Sequence, residues 1–340
     1  MSATKVAVVI PTWNGLGHLG ACLDALATQE RLADEVVVVD NGSVDGTDAY
    51  LRMRAGLVRT VTLRVNRGFA GGVNAGIAAT DADMVVLLND DAVPEPGWLA
   101  ALISALDGAP PEVGFMSSKL LTIDGTVVES VGDFLDSSGA PGQIGHGEPD
   151  DGRFDDGREV FSGCGAATAY RRRMLDDVGL LDERFFAYYE DVDLCFRARL
   201  RGWRGELAPG ARVRHRGSAT SDTVPGMKTR LLARNGWWLV LKNVPGRLLP
   251  GVLLRLGAGA GFRTVRAVGT GSARYHLAGH AQALAGLLPV LRQRREIQRG
   301  RTVPASTVRG WLVPARLTSR LQAKVSASPA TGPAAGQVQA

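Results

Sequence analysis

Apolar positions run without a break through residues 5–10 (KVAVVI) and 35–40 (EVVVVD), each run closed by polar or turn residues, and residues 18–29 between them carry apolar side chains at helical spacing. Unbroken β-branched runs mark strands buried on both faces, so the trio predicts a βαβ unit on a parallel sheet. A third run at 57–65, a helical stretch at 72–79 and a fourth run at 84–88 continue the alternation. The predicted fold is α/β, a doubly wound, mostly parallel, Rossmann-like sheet whose ligand crevice lies at the carboxyl ends of the strands.

Periodicity weakens after that. Residues 124–157 are rich in Gly, Asp, Ser and Pro and read as a long excursion over the crevice rather than as core. Strand character returns over 159–170, and 192–200 reads as a helix. From about residue 228 to 298 the pattern is helical with Gly and Pro breaks, and residues 326–340 are small and polar, as in a disordered tail. The expected division is an α/β catalytic domain over 1–226, a basic helical extension over 227–325 and the tail.

Charge sharpens that division. Through Gly226 there are 21 Lys and Arg against 33 Asp and Glu; beyond it there are 18 against the single Glu296. The two parts therefore face different partners. Aliphatic residues interleaved with isolated arginines, as in NGWWLVLKNVPGRLLPGVLLRL, suit an interfacial helix on an anionic surface, where each basic residue adds about 1 kcal/mol. No nucleic-acid motif accompanies them, so no nucleic-acid partner is expected. The greasiest stretch, 248–262, is broken by Pro250, Arg255 and four glycines and falls short of a membrane span. The chain enters its first strand without the segments of a signal peptide, and its three cysteines, Cys22, Cys164 and Cys195, are odd in number and widely spaced. A cytoplasmic protein, peripheral to the inner face of the membrane, is the expectation.

Three acidic signals follow apolar strands, where an α/β sheet presents its ligands: Asp40 in VVVVDNGSVDGT, Asn89-Asp90-Asp91 in VVLLNDDAVPEPGW, and Glu190-Asp191 in FFAYYEDVDLCFRA. Taken singly, Asp40 is equally suited to starting a turn and the Asn-Asp-Asp triplet to a solvated turn. Taken together they suit phosphate chemistry. A hard divalent cation on one or two carboxylates neutralises charge developing on a nucleotide diphosphate leaving group, a task for Asp90 and Asp91. An independent carboxylate about 100 residues downstream suits a general base for an acceptor hydroxyl, and Asp191 is the candidate. Trp98 and Trp203, each after a glycine, read as packing anchors and are left out of the site.

The motifs PTWNG, VDNGSVDGT, NRGFAGGVNAGI, LLNDDAVPEPGWL and AYYEDVDLCFRARLRGW, in this order and spacing across roughly residues 5–220, resemble the inverting family 2 glycosyltransferases of GT-A fold. The similarity is greatest to the branch holding bacterial rhamnosyltransferases and galactofuranosyltransferases of cell-envelope polysaccharides. By position, the resemblance implies that Pro11, Thr12 and Asp40 line the nucleotide-base pocket, that Asp90 lies near ribose and metal, that Asp91 ligates Mn2+ or Mg2+, and that Asp191 is the catalytic base. His215 matches a histidine that adds a metal or diphosphate contact in some members. Asn66, Arg67 and the glycines after them form a Gly-rich turn that could face the diphosphate, although neither the Gly-Lys-Ser/Thr loop nor the dinucleotide glycine spacing is present. Glu190 is suited to an acceptor contact or to starting the helix.

Asn89 replaces the first acid of an Asp-X-Asp pattern and is a weaker ligand than a carboxylate. The implied donor is a dTDP or UDP sugar and the implied acceptor a lipid-linked or polysaccharide hydroxyl. Two other functions share part of this pattern. A nucleotidyltransferase would carry a Gly-rich, Lys-containing signature near the N-terminus, which is missing, and a silent sugar-binding scaffold would be expected to lose Asp91 or Asp191, both of which are present.

Overall fold

The computed structural model describes residues 4–217 and 224–314. The N-terminal half alternates strand and helix: β1 (Val6–Thr12), α1 (Leu16–Ala27), β2 (Glu35–Asp40), α2 (Thr47–Met53), β3 (Arg59–Thr62), α3 (Gly68–Ala78), β4 (Met84–Leu88), β5 (Ala92–Pro94) and α4 (Trp98–Gly108). It continues with β6 (Val113–Thr122), β7 (Val128–Ser130), β8 (Asp133–Asp136), β9 (Pro141–Gln143), β10 (Ala167–Arg171), α5 (Arg172–Val178), α6 (Glu190–Leu200) and β11 (Arg204–His215). The main sheet runs β3-β2-β1-β4-β10-β6-β11-β5, with β7 beside β6. Its first four strands are parallel, as the unbroken apolar runs predict; β10 lies antiparallel between β4 and β6, and β5 is antiparallel to β11. Every residue of β1 and β4 is buried, because helices cover both faces.

Two expectations need correction. The helix read over 72–79 starts four residues earlier, and its glycines serve packing: a Cβ on Gly76 would sit 2.3 Å from Val9 Cγ1 and 3.0 Å from Val39 Cγ2. They let α3 lie close on β1 and β2. The segment 124–157 is not merely an excursion. It contains β7, β8 and β9 and buries Phe134, Leu135, Ile144 and Phe154, aromatic and aliphatic positions too sparse to register as a period.

Beyond residue 224 lie α7 (Met227–Asn243), α8 (Leu249–Arg266), α9 (Ala273–Ala285), α10 (Leu287–Gly300), α11 (Ala305–Trp311) and β12 (Leu312–Val313). This extension shares a core with α6: Trp238, Leu239 and Val240 pack with Phe185, Val192, Phe196 and Leu200. β12 adds to β8, completing a small β12-β8-β9 sheet. Polar bonds reinforce the junction. Asp193 of α6, fully buried, accepts from Lys242 Nζ at 2.9 Å, Asn243 Nδ2 at 2.8 Å and Arg197 Nε at 3.0 Å, and Lys242 also reaches Asp182 at 2.7 Å. The expected tail, 326–340, lies outside the described residues, and among those described no helix is long and apolar enough to cross a membrane.

Candidate active site

The strand order turns back between β1 and β4, and open α/β sheets bind ligands at such a point. Thr12, the last residue of β1, donates its Oγ1 proton to Asp90 Oδ2 at 2.5 Å just past β4. The PTWNG glycine makes room for that bond: a Cβ on Gly15 would lie 2.2 Å from Thr12 Oγ1 and 2.3 Å from Asp90 Oδ2. His18 Nε2 stands 3.4 Å from Asp90 Oδ1, and contact with that carboxylate raises the imidazole pKa.

β5 returns the chain antiparallel to β11, with Ala92 opposite His215. This pairing brings His215 Nε2 to 3.0 Å from Asp91 Oδ1, while its Nδ1 lies 2.8 Å from Glu129 Oε2. Burial opposes charge on the ring, yet the bonds to Asp91 and Glu129 overcome it and push the pKa up to about 10. Burial likewise opposes charge on Asp91, and the His215 bond outweighs it to hold the carboxyl below its ordinary pKa. Asn89 Nδ2 is 3.1 Å from His215 Nε2, and Asn89 Oδ1 is buried with no hydrogen-bond partner among the described residues.

Asp191 sits in the first turn of α6, preceded by Tyr189 in the left-handed region. Its Oδ2 accepts from Gly165 N at 2.7 Å and its Oδ1 from Val192 N at 2.8 Å. Burial nonetheless raises its pKa. Glu190 is buried, its Oε2 has no partner among the described residues, and burial together with the Asp191 charge lifts its pKa well above the carboxylate range. Asp133, on β8, accepts from Ser162 Oγ at 2.8 Å; burial and then Asp191 push it up to about 8.

One cavity of about 1150 Å³ unites these groups, and Pro11, Thr12, Asn66, Asp90, Asp91, Glu190, Asp191 and His215 all line it. Two expected residues lie off its wall. Asp40 is buried and its Oδ1 accepts from Ser43 N at 2.9 Å, which is the turn-starting alternative. Arg67 is paired with Glu183 at 2.6 Å. The tryptophans are packing anchors: Trp98 is fully buried and donates to Ser118 Oγ, and Trp203 donates to Asp177.

Sequence reasoning missed Asn41, Glu129 and Asp133. Asn41 follows Asp40 at a strand end and could have been found by the same logic; its Nδ2 donates to Gly68 O at 2.8 Å. Glu129 and Asp133 fall in the aperiodic segment and carried no such signal. The described residues hold no cluster of three or more His, Cys, Asp or Glu side chains arranged for a metal. Asp91, His215 and the orphaned Asn89 oxygen still fit a cation that draws its remaining ligands from phosphate and water, as Mg2+ and similar hard ions do. The Glu129 bond at Nδ1 aims Nε2, and a cation bound there would displace the Nε2 proton that Asp91 and Glu129 favour, leaving the neutral ring that a ligating imidazole needs.

The chain matches the glycosyl transferase family 2 model over residues 7–179. It is 29% identical over 265 residues to the N-acetylglucosaminyl-diphospho-decaprenol L-rhamnosyltransferase of Mycobacterium tuberculosis (strain ATCC 25618 / H37Rv), covering 68% of this chain and 85% of that protein. Among solved structures it superposes on a mannosyltransferase from Pyrobaculum calidifontis in complex with GDP-Man and Mn2+, at TM-score 0.50 and 18% identity over 92% of this chain and 88% of that one. It also superposes on GalNAc-T7 with UDP, GalNAc and Mn2+, at TM-score 0.52 and 16% identity over 63% of this chain but only 44% of that longer one. At these identities the structural likeness speaks for the fold, a GT-A arrangement with a helical C-terminal extension. The family match over half of the sequence and the shared fold place this chain in glycosyl transferase family 2.

Proposed function

We propose that this chain is a metal-dependent inverting hexosyltransferase. It moves a rhamnose- or galactofuranose-type sugar from a dTDP or UDP donor to a lipid-linked or polysaccharide acceptor in cell-envelope glycan synthesis. The observation that carries this reading is the single cavity in which the Thr12–Asp90 and Asp91–His215 pairs at the strand ends meet Asp191 from α6. The rhamnosyltransferase relative, named for a lipid-linked N-acetylglucosaminyl diphosphate, supports the acceptor class.

Asp91 and His215 would hold a divalent cation, Mn2+ or Mg2+, which when bound offsets charge on the departing diphosphate. Pro11, Thr12 and Asn66 line the donor end. Asp191, aimed by the Gly165 and Val192 amides, accepts the acceptor hydroxyl proton as that oxygen bonds to the anomeric carbon and the bond to phosphate oxygen breaks on the opposite face. Its raised pKa makes it a stronger base than a solvated aspartate. Glu190, whose pKa burial and the Asp191 charge raise, is suited in its protonated form to donating a hydrogen bond to the acceptor.

The extension adds a second element to the proposal. Leu254, Phe262, Val265, Leu277 and Leu284 are exposed beside Arg255, Arg263, Arg266 and Arg274, a mixture suited to the anionic inner membrane surface where lipid-linked acceptors reside.

The test of donor binding is calorimetric titration of dTDP-rhamnose and UDP-galactofuranose with and without Mn2+. One donor should bind in a metal-dependent way, and Asp91→Ala should abolish the metal effect. Metal-independent binding of equal strength in both proteins would overturn the assignment of Asp91.

A further inference from the structure

Asn235 stands on α7, fully buried and remote in sequence from every motif at the strand ends. Its Nδ2 reaches three backbone carbonyls: Phe185 at 3.1 Å, Ala187 at 2.9 Å and Tyr188 at 2.7 Å. Its Oδ1 accepts from Arg234 Nε at 2.9 Å, and Arg234 Nη2 donates in turn to Arg184 O at 3.0 Å and Phe185 O at 2.7 Å. All these carbonyls belong to the segment that leads into α6.

That segment has unusual backbone geometry. Phe186, Tyr188 and Tyr189 have φ of 66°, 70° and 71°, values that non-glycine residues hold only where their surroundings impose them. A chain turned this way aims successive carbonyls out of any helix or sheet ladder, and each buried one needs a donor. An uncharged amide supplies donors without adding a buried charge, whereas a carboxylate would face the carbonyls with like polarity. From the other side Phe186 O accepts from Ala70 N at 3.2 Å, so the segment is gripped between α3 and α7. The next two residues are Glu190 and Asp191.

We infer that Asn235 is a positioning residue: by bracing the left-handed approach to α6 it sets the Asp191 carboxylate against the Gly165 and Val192 amides and into the cavity. The first helix of the basic extension is thereby part of the active-site scaffold. The functional half of this inference rests on the reading of Asp191 as the base.

The test uses the full-length chain, Asn235→Ala, Asn235→Ser and Asp191→Asn, with whichever of dTDP-rhamnose or UDP-galactofuranose the parent protein binds. Amide hydrogen exchange reads position directly, because the Gly165 and Val192 amides are the donors to Asp191. In Asn235→Ala these two amides should lose protection while β1 and β4 keep theirs, and kcat should fall by about 100-fold, the size of a misplaced reacting group, with donor affinity unchanged. Asn235→Ser, which keeps one hydroxyl donor, should fall between. Unchanged protection at both amides, or parental kcat in a folded Asn235→Ala, would overturn the inference even with Asp191→Asn inactive. Parental kcat in Asp191→Asn would instead remove the base reading and the functional half with it. If Asn235→Ala does not fold, Asn235→Ser carries the same comparison, and a proportionate fall of affinity and kcat there would mark a merely structural role.

Discussion

Two amide hydrogen bonds favour the ionised form of Asp191, and burial opposes it and prevails. A base of raised pKa is blocked by its own proton at higher pH than an ordinary aspartate. The acid limb of kcat/KM should therefore lie above about pH 4, the usual aspartate value; a limb at or below that point would contradict the environment described. Asp191→Asn should keep donor affinity while turnover drops roughly 100-fold or more, and steady-state kinetics beside calorimetry separates the two effects. Asp133 offers a stability test. Its folded pKa, about 8, lies above the unfolded value, so its contribution is full below the unfolded pKa and is lost as pH rises through about 8. Asp133→Asn keeps an acceptor for Ser162 and removes this titration, so thermal melts should show the variant gaining on the parent protein from pH 5 to pH 8.5; a gap independent of pH would refute the assignment. Asp90, Asp91 and Asp191 were legible because each follows an apolar run or opens a helix. His215 was named only through family position, since one histidine in a basic strand says nothing of the Glu129 and Asp91 carboxylates that flank it.

The α6–α7 junction shows how elements far apart in sequence form one unit. Lys242 is the buried cation between Asp182 and Asp193, and both carboxyls are held below their ordinary pKa: burial opposes ionisation, while Arg184 and Lys242 outweigh it at Asp182, and Lys242 and Arg197 at Asp193. Carboxyls with depressed pKa stabilise above their unfolded pKa, and that contribution is lost as pH falls through the folded values. Lys242→Met removes the buried cation that Asp182 and Asp193 share, leaving each with a single arginine, and should cost about 3–5 kcal/mol, read from urea unfolding at neutral pH; a loss below about 1 kcal/mol, the size of an exposed pair, would show the junction is not desolvated. The parallel strands were readable because they are buried on both faces and their runs are continuous. β7, β8 and β9 were not: they are strands of three or four residues set by turns and by contacts with β6 and β12, and no period of two is sustained over so few positions. β11 ends at His215 and α7 begins at Met227, but neither the Lys242–Asp193 bond nor the Asn235 brace, which tie α7 to α6 and its approach, leaves any mark on hydrophobic periodicity.

Across the whole chain, acidic strand ends enclose the cavity while the helical extension presents exposed Leu, Phe and Val side chains among arginines. If that face docks on anionic lipid, co-sedimentation should be strong with anionic vesicles, weak with neutral ones and reversed by molar salt, where screening shortens to roughly 3 Å. Leu254→Ser with Phe262→Ser should weaken it; equal binding to neutral vesicles would refute the role of charge. The charge split was visible in the sequence, but which aliphatics of the extension stay exposed required the packing of its helices, since α10 turns Val290 inward and leaves Leu288 outside. The proposed chemistry is an inverting transfer of sugar from a nucleotide donor with Asp191 as base. Its most direct test is transfer from dTDP-rhamnose or UDP-galactofuranose to an N-acetylglucosaminyl-diphospho-polyprenol acceptor in Mn2+, with the anomeric configuration of the new linkage read by NMR. The expected product is inverted relative to the donor, formed by the parent protein and scarcely by Asp191→Asn. A product of retained configuration, or equal transfer by Asp191→Asn, would contradict this chemistry.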